Sequence, residues 1–543
     1  MKNWIRCRVS HFSRFLREVE YSLASSLMAV TILVIVPTRG LLGSQAENRS
    51  QDALKQHYDA AAAYQQAKDQ EHAAAEYKAF LAEALHRIAN GEAQTGQFAA
   101  AFPLFAEALE FAPQEAQLRI DYATASFDAE KLLQAKIVAE PAAQSSPGNA
   151  QVRLLLGRIL FQLGEYSRAR EELEAAVAAN PDFNTGYLLG RTYLLLHEEK
   201  RARVLFDEMV AGLGNTPLIH IYFGKAYSLM DYPDQAVEEF KQAIALDANA
   251  PDAHYYLALA QMRHDESAGY SKAIPELRSE LAINPNDVRS HYMLGYIAQK
   301  QHNLAEAETE LGQASALQPN DANTLVNLAE VYTGQNRFTD AEAVFRKAIK
   351  LAQSDPQNAN QAGRAHYLLG RLLMKTGRED EARQEIRISA ELDNPAAVSS
   401  GLNAEARVIS SSSMAQQQDS EERAARPAPK TVSQEELRRL EDFKNQLSPA
   451  IAQAYSELAA VAVNRQDFRT AVSFLQKAAV WNPALPGLDR SLGMAAFYAK
   501  EYDLAVKPLE RHLASHPEDS AARSAYDQAL KQQTSTENAP RPN

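Results

Sequence analysis

GRILFQLGEYSRAREELEAAVAANP, residues 157–181, and GRTYLLLHEEKRARVLFDEMVAGLG, residues 190–214, carry the pattern that decides the fold. Each places a glycine (Gly157, Gly190) twelve residues before an alanine (Ala169, Ala202) and a large apolar residue (Leu173, Phe206) four residues after it. Pro181 closes the first stretch twelve residues beyond its alanine. Two helices cross closely only where the facing residues are small, a large side chain then fills the space beside the crossing, and proline cannot continue the second helix. Both stretches therefore predict a pair of packed helices.

Outward from these, the alanine recurs at Ala101, Ala135, Ala236, Ala273, Ala307, Ala341, Ala382, Ala471 and Ala505, mostly at intervals of 33 to 37 residues. The small slot twelve residues earlier holds Ala89, Ala123, Gly224, Gly295, Ala329, Gly370, Ala459 and Gly493, with Ala258 displaced by a short insertion. Phe105, Phe240, Leu311, Phe345 and Leu509 fill the large slot, and Pro113, Pro147, Pro285, Pro319, Pro483 and Pro517 close their units. A helix pair has an apolar side that it cannot bury alone, so a fixed period implies stacked neighbours sharing one elongated core.

The register resembles the tetratricopeptide-repeat (TPR) family, whose pattern runs W-x2-L-G-x2-Y, then A-x3-F, then P. The resemblance implies an all-α fold, an α-solenoid of about eleven helix-turn-helix units from about Ala82 to Pro517. The tryptophan slot departs from the family, holding His220, His254, His291 and His366, and the proline slot holds Gly214, Ala248, Gln353 and Asn394 in four units.

The expected organisation is a leader over 1–46, N-terminal capping helices over 47–81, a main array of about nine repeats over 82–395, and a disordered linker over 396–432. A short helix, two repeats and a capping helix follow over 433–533, with a disordered tail over 534–543. The linker is rich in Ser, Gln and Pro and has too little apolar surface to pack. Ser433 with Glu436 forms a capping box, and Leu437, Leu440, Phe443 and Leu447 line one face of the short helix.

Lys2, Arg6, Arg8, Arg14 and Arg17 precede an apolar run over 23–36, the order of a secretory signal. Ser44-Gln45-Ala46 offers a cleavage site, and without cleavage the same segment would anchor the body to the inner membrane from outside. Ser44 stands where a lipoprotein box needs cysteine. The expectation is export to the bacterial periplasm, with membrane contact only through an uncleaved N-terminal segment.

The formal net charge is -13, and no basic run follows the leader, so nucleic acid is not the expected partner. The single cysteine, Cys7, excludes a cysteine-based metal site or an intramolecular disulfide. The sequence contains no phosphate-binding loop, zinc-protease motif or nucleophile elbow, so neither catalysis nor a cofactor is expected. The four slot histidines occupy one packing position in separate repeats, too far apart to share a metal ion. Adjacent carboxylates such as Glu171-Glu172 and Glu238-Glu239 are expected on solvated faces.

In the family that the sequence resembles, the first helix of each repeat lines the concave groove. Two slots point there by that resemblance. The residue after the small slot is Arg158, Arg191, Lys225 or Arg371, with Tyr296 in the same slot, and the residue three before it is Tyr187, Tyr255, Tyr292 or Tyr367. Cations beside tyrosines suit a protein or peptide ligand carrying acidic residues. The expected function is an exported scaffold for protein interaction in assembly of an envelope complex. The alternative is a groove for a glycan or envelope polymer.

Overall fold

A computed structural model describes residues 43–264, 268–354, 359–392 and 432–537. The leader to residue 42, the linker over 393–431 and the tail from 538 lie outside the described residues. Twenty-four α-helices and no strand occur among the described residues.

The chain divides into two compact units, one built from 43–179 together with 432–537 and one from 180–392. In the first, α1 (Gly43–Gln66), α2 (Gln70–Gln94), α3 (Phe98–Phe111), α4 (Ala116–Asp128), α5 (Leu132–Ser145), α6 (Ala150–Gln162) and α7 (Tyr166–Ala179) precede the second unit in sequence. After that unit the chain returns with α20 (Gln434–Asn464), α21 (Phe468–Trp481), α22 (Leu488–Tyr498), α23 (Tyr502–Ser515) and α24 (Ser520–Glu537). The second unit contains six hairpins. They are α8 (Phe183–Leu195) with α9 (Glu199–Leu213), α10 (Pro217–Leu229) with α11 (Pro233–Leu246), and α12 (Ala253–His264) with α13 (Gly269–Ile283). Then come α14 (Val288–Lys300) with α15 (Leu304–Leu317), α16 (Ala322–Gly334) with α17 (Phe338–Ser354), and α18 (Ala359–Lys375) with α19 (Glu379–Leu392).

The small slot and the large slot meet in every hairpin that has a glycine. A methyl added at Gly157 would lie 2.7 Å from Leu173, at Gly224 2.6 Å from Phe240, at Gly295 2.6 Å from Leu311, and at Gly493 2.5 Å from Leu509. The signature alanines are buried throughout. Burying each large residue contributes about 1.5–3 kcal/mol, and the crossing exists because nothing larger than hydrogen stands opposite it.

Three local signals shape the connections. Five residues before the alanine the backbone turns left-handed, at Gly96, Glu130, Gly164, His197, Asp231, His302, Asn336, Gly377, Gln466 and Lys500. That turn lets the next amide reach back to the first helix, as Lys131 N donates to Ser126 O at 2.8 Å and Glu165 N to Leu160 O at 2.9 Å. After Pro147, Pro181, Pro285 and Pro319, an Asn or Asp caps the following helix. Asn149 accepts from Gln151 N at 3.0 Å, Asp182 from Thr185 N at 3.0 Å and Asp321 from Thr324 N at 2.9 Å.

Four boundaries differ from expectation. The expected cap and first repeat share α2, because Ala61 of α1, Lys68 of the turn, and Ala73 and Tyr77 of α2 already occupy the small, left-handed, alanine and large slots. The expected short helix after Ser433 is the first half of the 31-residue α20, which runs through Pro449. Packing of Phe443 and Leu447 against the core offsets the one hydrogen bond that the proline removes. The last helix continues to Glu537, four residues into the expected tail, since no Gly or Pro interrupts it before Pro540. Finally, α20 to α23 share one hydrophobic core with α1 to α7 instead of standing apart.

The joint within that core is antiparallel. Leu440 near the start of α20 sits against Gly91 near the end of α2, while Arg465 beyond the end of α20 meets Glu71 at the start of α2, 3.0 Å apart. Lys444 pairs with the buried Glu92 at 2.6 Å, Lys477 with Glu107 at 2.6 Å, and the Tyr455 hydroxyl donates to Glu107 at 2.5 Å. In each of these ion pairs the N-terminal hairpin supplies the acid and the C-terminal helices the base.

Candidate functional site

Within the second unit, neighbouring first helices touch directly, α8 with α10, α10 with α12, α14 with α16 and α16 with α18, whereas second helices pack chiefly on first helices. The first helices therefore form a layer of their own, in direct contact from α8 to α12 and again from α14 to α18, which is the inner face that the resemblance implies. They carry eight Lys or Arg (Arg191, Lys225, Arg263, Arg289, Lys300, Arg364, Arg371, Lys375) against a single acid, Glu330. The six second helices carry eleven basic and eighteen acidic residues. The first helices of this acidic chain are thus net basic, with Arg289 and Arg364 paired to Asp252, Asp287 and Glu330.

The inner face is densest in recognition groups at α8 and α10. Phe183 and Tyr187, one helical turn apart on α8, stack with ring centres 5.8 Å apart, and Tyr222 of α10 meets both edge-on, at 5.2 and 5.7 Å. Arg191 lies over the Tyr187 ring at 5.9 Å, and Lys225 over the Tyr256 ring at 4.3 Å. Phe183, Tyr187, Arg191, Tyr222 and Lys225 are all half-buried. They are held by the hairpin yet keep a face toward solvent. Leu218, one turn before Tyr222, is 61% exposed.

Further along, the structure separates residues that the sequence treats alike. Tyr255 is buried beneath the Arg289 guanidinium, 4.5 Å from its ring, and burial pushes its phenol well above the usual range. Arg289 is itself held by Asp252 and by Asp287, the latter at 2.9 Å. Tyr296 is also buried. These two contribute packing and offer no face to a ligand; Tyr255 is covered by Arg289 of the next repeat, and Tyr296 lies 5.4 Å beneath Lys300 of its own helix. Tyr292 is half-buried; its hydroxyl accepts from the side-chain amides of Asn323 and Asn327, each at 2.7 Å, and Arg364 ties Asn327 to Glu330 at 2.7 and 2.6 Å. Tyr367 and Arg371 are exposed together on α18, 5.8 Å apart. Arg158 belongs to the other unit, where its guanidinium lies 4.8 Å over Phe127.

The slot histidines tie each hairpin together. Nδ1 of His220, His254, His291 and His366 meets Glu239, Glu276, Glu310 and Glu385 of the second helix, each at 2.6 Å. His57 with Glu76 repeats the pair at 2.6 Å, and Arg153 with Glu172 replaces it at 2.5 Å. Glu172 and Glu239, expected on solvated faces, are therefore turned into these pairs. The signal was present in the sequence as an acid three residues after the alanine wherever the tryptophan slot holds His, and at Arg153 with Glu172; Arg119, in the same slot, has Val138 there and bonds the Pro113 carbonyl at 2.9 Å. Phe183, Leu218 and Tyr222 were missed because they fall outside the two slots that the resemblance singles out.

Comparison with known protein families matches tetratricopeptide repeat at residues 126–188, 292–359 and 363–394, and TPR repeat at residues 234–265. No curated protein sequence matches. Among solved structures, the chain is similar to MamA 41-end from Desulfovibrio magneticus RS-1, with 20% identity over 33% of this chain and 96% of that one and a TM-score of 0.30. It is also similar to a tetratricopeptide repeat protein from Parabacteroides merdae, with 15% identity over 46% and 98% of the two chains and a TM-score of 0.34. A third, YrrB, described as a TPR protein with an unusual peptide-binding site, matches with 17% identity over 41% and 95% and a TM-score of 0.24.

Proposed function

Because the chain is a tetratricopeptide-repeat protein, we propose that it works as an interaction scaffold that holds a protein or peptide partner against the first helices of the 180–392 unit. The observation that carries this reading is the charge segregation of that unit, eight cations against one acid on the first helices in a chain of net charge -13. A partner segment carrying carboxylates would exchange its hydration for Arg191, Lys225 and Arg371, with Tyr187 and Tyr367 giving apolar and hydrogen-bonding surface beside them. Binding of this kind needs no cofactor and no catalytic group.

A glycan ligand remains the alternative occupant of the same face. It loses support from the burial of Tyr255 and Tyr296, which removes two of the rings on which sugars would stack. In cells, the basic leader and the apolar run over 23–36 support export and a role in assembling an envelope complex. N-terminal sequencing of the native protein is then expected to begin near Glu47, or fractionation to find it in the inner membrane. A cytoplasmic protein that retains Met1 would refute export.

The experiment for the scaffold reading is reversal of Arg191 and Lys225 to Glu, with capture of the native partner measured at low and moderate salt. Capture is expected to fall at both, and more at low salt, where charge attraction is least screened. Undiminished capture by a folded variant would refute the reading.

A further inference from the structure

Resting on that reading, we infer that the α8 and α10 end of the inner face recognises an acidic amphipathic helix, a segment with an apolar strip beside a strip of carboxylates. Two rows of different chemistry run side by side there. Phe183, Tyr187, Leu218 and Tyr222 form an apolar row on the N-terminal halves of the two helices, with ring centres 5.2 to 5.8 Å apart. Arg191 follows Tyr187 by four residues and Lys225 follows Tyr222 by three, so the cationic row lies about one turn, or roughly 5.4 Å, further along each helix. Lys225, over the Tyr256 ring at 4.3 Å, extends that row toward α12.

The lateral offset selects the conformation of the ligand. A strand laid along the rows presents its same-face side chains in single file, so it fills one row at a time. A helix presents apolar and acidic residues on neighbouring strips when they recur at three- and four-residue spacing. Charge selects the sign. The first helices of this unit are cationic with one acid, and the second helices behind them are predominantly acidic, so a neutral amphipathic helix would lose the long-range attraction and a basic one would be repelled from the first helices and drawn to the second. The exposed Leu218 matters because a simple polyanion would leave it and the three rings in water.

The test uses the full-length protein and four labelled peptides of equal length, with binding read by fluorescence anisotropy. One is an amphipathic helix of Leu and Glu at helical spacing. The second has Gln for every Glu, the third Ala for every Leu, and the fourth the same residues in strict alternation. The first is expected to bind at least about tenfold more tightly than each of the others. Leu218→Ser and Tyr222→Ser are expected to weaken it by about tenfold while far-ultraviolet circular dichroism stays unchanged, and Lys225→Glu to remove most of the salt dependence. Equal binding of the alternating or the Leu-free acidic peptide, or no effect of Leu218→Ser, would overturn the inference. If reversal of Arg191 and Lys225 abolishes capture of the native partner but the acidic helix is not preferred, the ligand class is wrong and the scaffold reading stands. If neither result appears, both fall.

Discussion

Gly190 and Gly224 mark where two helices of one repeat approach so closely that Phe206 and Phe240 occupy the space of a methyl group. Substituting Gly224→Val forces either the ring or the helix to move and is expected to cost about 2–3 kcal/mol in urea unfolding. Phe240→Leu should recover part of that loss in the double variant, and simple additivity would show that the two do not meet. This crossing was legible in the sequence because it is written in residue size. The left-handed turn was not, because Glu130, His197, Gln466 and Lys500 stand where only the backbone reveals the need for positive φ. Gln466→Gly and Lys500→Gly are each expected to stabilise by about 0.5–1 kcal/mol, the strain relieved in the fold less the entropy added to the unfolded chain. Destabilisation by either would contradict the assignment of strain.

Among the elements, α20 and α2 show how a contact between distant parts of the chain is specified. Gly91 admits Leu440, and Glu92, 1% exposed, has Lys444 at 2.6 Å. Lys444→Glu would leave a buried carboxylate facing another and is expected to cost about 3–5 kcal/mol. Hydrogen exchange should then rise in α20 to α24 and stay unchanged across 180–392; uniform protection of α20 would refute the joint. The helices of this joint were foreseen, but their pairing was not, since no periodicity relates residues some 350 positions apart. A second contact, between α2 and α4, carries a pH signature. Burial opposes ionisation of Asp121, but hydrogen bonds from His86 at 2.8 Å and from Asn90 and Gln117 at 2.9 Å hold its carboxyl below the ordinary value of 3.8. A depressed folded value means that the contribution is present above pH 3.8 and is lost as pH falls below it. Asp121→Asn should therefore lower stability at neutral pH, and its deficit should shrink below about pH 4. A deficit independent of pH would show that the carboxylate charge is not what matters.

At the scale of the whole molecule, eleven repeats were readable from an alanine register together with its flanking small, large and proline slots, and the distribution of charge was readable only once first and second helices were told apart. The candidate site was legible in part. Arg191, Lys225 and Tyr187 follow from slot position, whereas the burial of Tyr255 and the convergence of Phe183 with Tyr222 depend on how one repeat covers the next. The proposed scaffold places its partners on the first-helix face of the 180–392 unit. Leu218 on α10 and Val204 on α9 test it directly, because they belong to opposite helix layers and are 61% and 57% exposed, so solvent access does not distinguish them. A photoreactive amino acid is placed at one or the other position in the native cell, and adducts are compared after irradiation. A discrete partner adduct is expected from position 218 and none from position 204. An adduct from 204 with none from 218 would contradict that placement.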